Sequence, residues 1–197
     1  MCLQINDLQH IVPGLPRGSI SEVMGEASSG RTSLVHAFLA AATAAGEVSA
    51  VVDFDNSFDP ASAERAGVQL NKLLWVQCNG RMEHAMKAAD MILHGGGFGL
   101  VVMDLCEVRP EVLQRVPISY WHRFRLAVKD TPSALLVAGN QPNARSCAVQ
   151  QIELESLRAD WPGCVPFQLL SGLRLQLSSR KPVLTRPVEL LAQAAGK

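Results

Sequence analysis

Residues 25–33 read GEASSGRTS and have the spacing of a loop that binds phosphate groups. Gly25 and Gly30 enclose four residues, and Thr32 follows where a hydroxyl can meet a magnesium ion. The glycines let backbone N–H groups point inward, and the N-terminus of the next helix adds positive potential. The pattern requires lysine at position 31, where this chain has arginine. The sequence therefore predicts a phosphate loop with an altered cation.

Further polar residues with useful chemistry follow three apolar runs. Asp53 and Asp55 end the run VSAVVDFD, and Asp104 ends LVVMD. Asn140 and Gln141 come directly after ALLVAG. An acid at such a strand end can orient magnesium for phosphoryl transfer. Because the carboxyl ends of parallel strands meet at one crevice, we expect these side chains to lie beside the phosphate loop.

Alternating strand and helix patterns must position these residues. Apolar residues at helical spacing follow the loop, and short apolar runs typical of buried strands recur between helices. This alternation predicts an α/β fold with a mostly parallel sheet sandwiched by helices. The predicted strands are 20–24, 48–55, 73–77, 100–104 and 134–139, and the predicted helices are 32–45, 59–67, 81–94 and 111–129.

The last third of the chain has a different pattern. Residues 149–157 and 169–179 alternate between apolar and polar, with Trp161, Pro162 and Gly163 between them as a turn. This pattern predicts a C-terminal antiparallel hairpin added to the parallel sheet. The tail RPVELLAQAAGK is expected to be a short helix or frayed.

The chain has 197 residues, a length typical of one domain. We expect a single domain over residues 1–197, without an interdomain linker or an internal repeat. Its expected parts are the lead-in 1–18, the phosphate-loop core 19–142, the hairpin 148–181 and the tail 182–197.

Composition limits the possible functions. The formal net charge is zero, which argues against tight non-specific DNA binding. The five cysteines are scattered and lack metal-ligand spacing, as is usual for reduced, buried thiols. The first residues lack a signal-peptide pattern, and the longest apolar stretch is too short to span a bilayer. We therefore expect a cytoplasmic protein without membrane contact.

Several segments, in the same order, resemble RecA. GLPRGSISEVMGEASSGRTSL is similar to the RecA lead-in, phosphate loop and first helix, and AVVDFDNSFDPASAERAGV to the segment with the catalytic glutamate and adenine contacts. LVVMD matches its second acidic strand, ALLVAGNQ the strand ending in the γ-phosphate-sensing glutamine, and GLRLQLSSRK a late strand. The resemblance covers most of residues 11–181. It implies a RecA-like P-loop NTPase core with ATP and magnesium as cofactors.

The resemblance also implies a role for each matching residue. Asp104, with Thr32, would bind or orient magnesium. Gln141 would sense the γ-phosphate, Asp59 would lie near the adenine, and Asp55 would stand in the catalytic position. The residues that would hold the triphosphate are Gly25, Ser28, Ser29, Gly30, Arg31, Thr32 and Ser33.

Three residues depart from the RecA pattern. Arg31 replaces a lysine, and its forked guanidinium is longer than the ammonium for which the loop is shaped. Asp55 replaces the catalytic glutamate and has a shorter reach, and a misplacement of about 1 Å can cost about a hundredfold in rate. Ser62 stands where the family has an aromatic residue that stacks on adenine. These changes predict weak or no ATP hydrolysis.

The RecA regions that build filaments and hold DNA also look reduced. Only about ten residues precede the RecA-like segment, so we expect no polymerisation arm. The segment from Asp104 to Gln141 looks shorter than in RecA, with little room for the first DNA loop. The region of the second DNA loop is expected to be the strand at 149–157 and its turn, and not a mobile glycine-rich loop. The most basic cluster, WHRFR at 121–125, favours a solvated helix face with Trp121 and Phe124 packed inward. DNA binding is therefore left open.

The segments PISYWHRFRLA and NARSCA are most similar to ImuA, the RecA-like accessory protein of bacterial translesion synthesis. That resemblance implies a role in the DNA damage (SOS) response through protein partners. The partners would be an ImuB-like Y-family polymerase homologue and its associated replicative-type polymerase.

Two other functions remain compatible with the sequence. One is an active ATP- and DNA-binding ATPase of RecA type, because Gly25, Gly30, Thr32, Asp104 and Gln141 are intact. The other is a regulator of RecA or of cell division, as SulA-like proteins are, which resemble this fold without a nucleotide site.

Overall fold

The computed structural model describes residues 3–5, 14–162, 171–182 and 187–194. Within these ranges, nine strands form one sheet in the order β1-β9-β8-β7-β2-β6-β5-β3-β4. The strands are β1 Leu3–Ile5, β2 Ser19–Gly25, β3 Ser49–Asp53, β4 Leu73–Gln77, β5 Leu100–Asp104, β6 Ala134–Gly139, β7 Ala148–Asp160, β8 Gly172–Lys181 and β9 Val188–Ala194.

The sheet has a parallel half and an antiparallel half. β2 pairs in parallel with β6 and with β7, and β3 pairs in parallel with β4 and with β5. β5 also pairs in parallel with β6. Beyond β7, the pairs β7–β8, β8–β9 and β1–β9 are antiparallel. The expected mostly parallel sheet with an antiparallel C-terminal hairpin is confirmed.

The helices cover both faces of the sheet because its central strands are apolar on both sides. β2 and β6 are buried along their whole length, as expected for strands inside a parallel sheet. One cluster packs Leu34 and Phe38 of the first helix against the sheet, and another packs Trp121 and Phe124. The helices are α1 Arg31–Ala44, α2 Pro60–Arg65, α3 Met82–Gly95, α4 Pro110–Gln114 and α5 Ile118–Val128.

Two sequence-based expectations about elements are wrong. The helix predicted over 111–129 is two helices, α4 and α5, because proline at 117 directly precedes α5 and favours an extended residue before it. The tail contains the strand β9, which pairs with both β8 and β1, where a helix or a frayed end was expected. The alternation in VELLAQA, with Leu190 and Ala192 buried and Leu191 exposed, is the pattern of a strand with one covered face.

Gly163 of the predicted hairpin turn lies outside the described residues. No helix in the part of the chain that the structure describes is long and apolar enough to cross a membrane.

A buried carboxylate fixes the centre of the sheet. Glu22 lies in the middle of β2 and is 1% exposed. Its Oε1 accepts hydrogen bonds of 2.6 Å from the backbone N–H groups of Asn143 and Ala144, and its Oε2 accepts one of 2.7 Å from Gln151 Nε2. Since burial of an ionised group is costly without partners, these three donors are what make Glu22 tolerable there. Glu22 thereby connects β2, the loop after β6, and β7.

We predict that Glu22→Ala lowers the free energy of unfolding by about 3 kcal/mol or more, because three buried donors lose their acceptor. Urea denaturation of the full chain measures the change. The matched control is Glu153→Ala on β7, whose carboxylate forms an exposed ion pair with Arg180. That variant should lose about 1 kcal/mol or less. Equal losses in the two variants would contradict the structural role of Glu22.

Candidate functional site

The glycine loop, residues 25–30, joins β2 to α1 as its sequence context predicts. A side-chain Cβ at Gly25 would collide with the Leu154 backbone oxygen and the Ser29 hydroxyl, so only glycine fits there. Gly30 has φ +88°, and a Cβ there would lie 2.5 Å from Leu175 Cδ1. Ser28 is also left-handed, with φ 62°. The loop therefore has a tight path that depends on both glycines.

The N-terminus of α1 is open to an anion. Gly30 supplies no side-chain cap, and the first turn contains no acidic residue. The hydroxyl of Ser29 is buried and has no hydrogen-bond partner. Because a 14-residue helix concentrates unsatisfied N–H groups and positive potential at this end, the loop fits a phosphate group.

Arg31 is turned into the site and already has a protein partner. It is 6% exposed, and its Nη1 donates a hydrogen bond to Oδ1 of Asn140, the first residue after β6. No ion pair within 4.0 Å joins Arg31 to Asp55 or Asp104 in the described part of the chain. The guanidinium is still close enough to Asp104 to favour its ionised form. Arg31 thus bridges the glycine loop and the neighbouring strand end.

A cavity of about 180 Å³ lies between the loop and the ends of β3 and β5. Its lining includes Arg31, Thr32 and Asp104, which places both predicted magnesium residues at one space. His36 also lines it, and its Nε2 is buried without a partner. Burial lowers the pKa of His36, which opposes protonation of the ring, although Asp59 acts in the other direction. The ring packs edge-on against Phe58 at 5.6 Å.

The carboxylates at this end of the sheet repel one another. Burial raises the pKa of Asp104, Asp53 adds to the rise, and the Cys106 N–H and Arg31 oppose it. Burial, Glu107 and Asp53 together raise the pKa of Asp55, which is exposed. Oxygen ligands of this kind suit magnesium. Yet no group of three or more histidine, cysteine or acidic side chains in the described residues is arranged to hold a metal.

Asp53 has a structural task. Its Oδ1 accepts from Ser57 N at 3.1 Å, and its Oδ2 accepts from Phe58 N and Trp75 Nε1 at 3.0 Å each. These bonds fold the segment after β3 back toward β4. They hold Phe58 against His36 and Trp75, with ring centroids 5.6 and 5.7 Å apart.

Asp59 caps a helix in this structure. Its carboxylate accepts from Ala61 N and Ser62 N, and from the Ser62 hydroxyl, at the start of α2. These hydrogen bonds lower the pKa of Asp59. Ser62 is thereby the partner of Asp59, and it offers no aromatic surface to a base. Asp59 is not among the residues that line the cavities beside the glycine loop.

The other predicted site residues divide into two groups. Ser28, Ser29, Gly30, Arg31, Thr32 and Ser33 share one further cavity beside the loop. Asp55 and Gln141 do not line any of the three cavities next to the loop. Gln141 is half-buried beside Asn140, which binds Arg31. The roles of all these residues remain predictions.

Sequence reasoning missed two contributors to the site. Asn140 was noted as a strand end, but its bond to Arg31 joins residues 109 positions apart, and no local pattern shows such a pairing. The sequence analysis does not include His36, which lines the cavity. Its place on α1, among apolar residues that face the sheet, was the available signal that it is buried.

We predict that Asp104→Asn stabilises the fold at pH 7. Because the pKa of Asp104 is raised in the folded state, the free energy of unfolding falls as pH rises through that pKa. Asparagine does not ionise and therefore avoids this loss. The gain over the wild-type chain should shrink toward zero below about pH 4, where the unfolded carboxyl is protonated as well. Urea denaturation at both pH values tests this.

The control is Asp53→Asn, at the residue paired with Asp104 across β3 and β5. This variant should lose about 1–3 kcal/mol at pH 7, because a carboxylate oxygen that accepts N–H bonds becomes a donor. Destabilisation of both variants at pH 7 would contradict the prediction that ionised Asp104 lowers the stability of the fold.

Comparison with known proteins gives a family match that includes the glycine loop and the ends of β3 and β5. The family model of the RecA N-terminal domain matches residues 3–111, more than half of the chain. The protein RecA of Methylococcus capsulatus is 43% identical over 91 residues, which are 46% of this chain and 26% of that protein. RecA of Clavibacter michiganensis is 40% identical over 93 residues, 47% of this chain and 25% of that protein.

RecA of Mycobacterium marinum is 39% identical over 93 residues, again 47% of this chain and 27% of that protein. The chain thus matches about a quarter of the length of these relatives. The matched region contains β2, the glycine loop, α1 and the acidic strand ends at Asp53 and Asp104. The expected RecA-like core is confirmed, and the chain belongs to the family of the RecA N-terminal domain.

Proposed function

We propose that this protein is a non-filamentous accessory member of the RecA family in DNA damage tolerance, of the kind that ImuA represents. It acts through protein contacts, with an ImuB-like Y-family polymerase homologue and the associated replicative-type polymerase as partners. Its nucleotide site is degenerate. The glycine loop keeps its capacity for phosphate but does not support efficient hydrolysis.

The contact between Arg31 and Asn140 carries this proposal. In a working phosphate loop, the lysine at this position is a mobile point charge directed at the β- and γ-phosphates. Here a buried guanidinium is held by the side chain that follows β6. This protein-internal bond gives the loop and the β6 end a connection that needs no nucleotide. A fold maintained in this way can serve as a binding scaffold without turnover.

The catalytic position supports the same conclusion. Phosphoryl transfer depends on positioning and electrostatics. Asp55 is exposed, does not line the cavity that contains Thr32 and Asp104, and has a raised pKa beside Glu107 and Asp53. A water molecule at the end of a triphosphate would therefore lack a well-placed base.

The loop after β6 supports a protein that does not hold DNA as RecA does. The resemblance places the second DNA-binding loop of RecA at 149–157 and the turn that follows, where this chain has the strand β7. Here only residues 140–147 separate β6 from β7, and Glu22 binds two of their backbone N–H groups. A loop this short and this firmly held is poorly suited to following a DNA strand.

The helix α5 is the surface that the proposal assigns to a partner. Trp121 and Phe124 are buried, as the sequence indicated, and Arg123 forms an ion pair with Asp90 on α3. Tyr120 is 38% exposed and Leu126 is 67% exposed. Aromatic and aliphatic residues among arginines are typical of protein interfaces.

We predict that the wild-type chain hydrolyses no ATP above a protein-free control, and that Arg31→Lys alone does not restore turnover, because Asp55 is still one methylene short. Phosphate release with magnesium measures both. The double variant Arg31→Lys, Asp55→Glu is the variant to compare with Arg31→Lys, because it also restores the missing methylene. Magnesium-dependent wild-type turnover that Asp104→Asn abolishes would favour the active ATPase, which the shared cavity of Thr32 and Asp104 makes the second candidate.

We also predict that the purified protein binds an ImuB-like partner at micromolar or lower concentration, without added ATP. Leu126→Asp should weaken binding by about tenfold or more, because a charge would enter the apolar contact. The control is Met91→Asp on α3, at a residue that is 66% exposed. Absence of binding by the pure proteins would argue against the accessory role. If the protein inhibits RecA filament assembly, that result would instead support the alternative function of a regulator of RecA.

A further inference from the structure

One side of α5 presents a stripe of exposed side chains, which we call the α5 stripe. Its members are three or four positions apart, a spacing that places residues on one side of a helix: Ile118, His122, Arg125 and Lys129. Leu126 lies beside the stripe and is 67% exposed. The open side of the helix therefore combines positive charge with apolar surface.

The neighbours of α5 show the direction in which the α5 stripe faces. His122 Nδ1 lies 3.5 Å from Sγ of Cys147, at the end of the loop that joins β6 to β7. Arg123, on the other flank of the helix, forms an ion pair with Asp90 of α3. The stripe therefore faces the loop and β7, on the side away from α3.

Two more cations extend the positive surface across that loop. Arg145 is exposed and has φ 51°, a conformation that non-glycine residues rarely adopt. Its backbone is held on both sides, because the Ala144 N–H donates to Glu22 and the Arg145 carbonyl oxygen accepts from Lys181 Nζ at 3.3 Å. The side chain of Arg145 thus extends from a fixed backbone, with the ammonium of Lys181 next to it.

Charge is unbalanced here, although the chain as a whole is neutral. Residues 118–152 contain four Lys or Arg residues and one acid. Among the described residues, Arg123 is the only one of these four cations with an ion pair within 4.0 Å, and Lys181 has none. Glu153, farther along β7, is already neutralised by Arg180. The cations that remain to attract carboxylates from a partner are Arg125, Lys129, Arg145 and Lys181.

The same surface is a poor match for a nucleic acid. Leu126 lies among the cations, and a phosphate backbone would leave it uncovered. Tyr120 packs against Phe124 with ring centroids 6.2 Å apart, so it is poorly placed to stack on a base. Four cations are also fewer than the roughly six to ten phosphate contacts of a strongly salt-dependent DNA-binding protein. A peptide with apolar side chains flanked by carboxylates matches both parts of the surface.

We propose that the α5 stripe, together with Leu126, Arg145 and Lys181, binds an acidic amphipathic segment of the partner protein. Carboxylates of that segment pair with the cations, and one of its apolar side chains covers Leu126. The inference rests on the partner contact that the proposed function assigns to α5, and it adds the chemistry of the partner segment. Exposed cations of this kind mainly accelerate association, whereas the apolar contact slows dissociation.

Binding kinetics of the full chain with a purified ImuB-like partner, measured by biolayer interferometry, test this. Arg125→Glu and Arg145→Glu should each lower the association rate about threefold or more and change the dissociation rate less. Arg125→Lys should keep most of the association rate, because the charge is retained. Leu126→Ala leaves the charge unchanged and should instead raise the dissociation rate.

The matched control is Arg174→Glu, the same charge reversal at an exposed arginine of β8. It should change neither rate. Urea midpoints equal to that of the wild-type chain show that each variant is folded.

Salt provides a second measurement. Raising NaCl from about 50 to about 300 mM should weaken wild-type binding about fivefold or more, because exposed charges are screened. It should not weaken binding of the double variant Arg125→Glu, Arg145→Glu, in which attraction has become repulsion.

Three results would overturn the inference. Unchanged association rates in both charge reversals would exclude an acidic partner segment and leave the accessory role intact. Binding of a labelled oligothymidine that the double variant loses would assign these cations to nucleic acid. If the wild-type chain does not bind the ImuB-like partner, the accessory role itself is contradicted, and the partner segment with it.

Discussion

The carboxylate of Glu22 is the constraint on which the centre of this fold depends. It lies in β2, between β6 and β7, and it binds the loop that joins those two strands. The loop after β6 begins at Asn140, so its fixed path also fixes the partner of Arg31. The loop that starts from β2 and the loop that follows β6 are therefore held by one network of hydrogen bonds within the protein.

Two opposed electrostatic environments border the glycine loop. At the ends of β3 and β5, burial raises the pKa of both Asp55 and Asp104, and the neighbouring carboxylate of Asp53 adds to both rises. The start of α1 carries positive potential and lines a cavity of about 390 Å³ together with Trp161. A magnesium-dependent ATPase would use the acidic residues, whereas phosphate binding without turnover would need only the loop and the start of α1. The departures from the RecA pattern at Arg31, Asp55 and Ser62 are the reason why we propose binding without turnover.

The parallel core was predictable because its signals are local. Each signal lies within a few residues: the spacing from Gly25 to Thr32 places β2 and α1 correctly, and the apolar runs that end in acids place β3 and β5. The contacts that define the site are not local. The sequence analysis made no prediction for Glu22, whose hydrogen-bond partners lie more than 120 residues away. The strand β9 was missed because its alanines and leucines also suit a helix, and only its pairing with β8 decides between the two.

The pairing of β1 with β9 has a consequence for how the chain folds. Leu3 lies opposite Ala194, so these neighbours in the sheet are separated by nearly the whole sequence. A contact of this kind requires the closure of a very long loop, and such contacts form late and slowly. During synthesis, the strands from β2 to β6 can assemble on the ribosome, while β8 would present an unpaired edge until β9 has emerged. The antiparallel half is therefore the part of this molecule most exposed to misassociation before folding is complete.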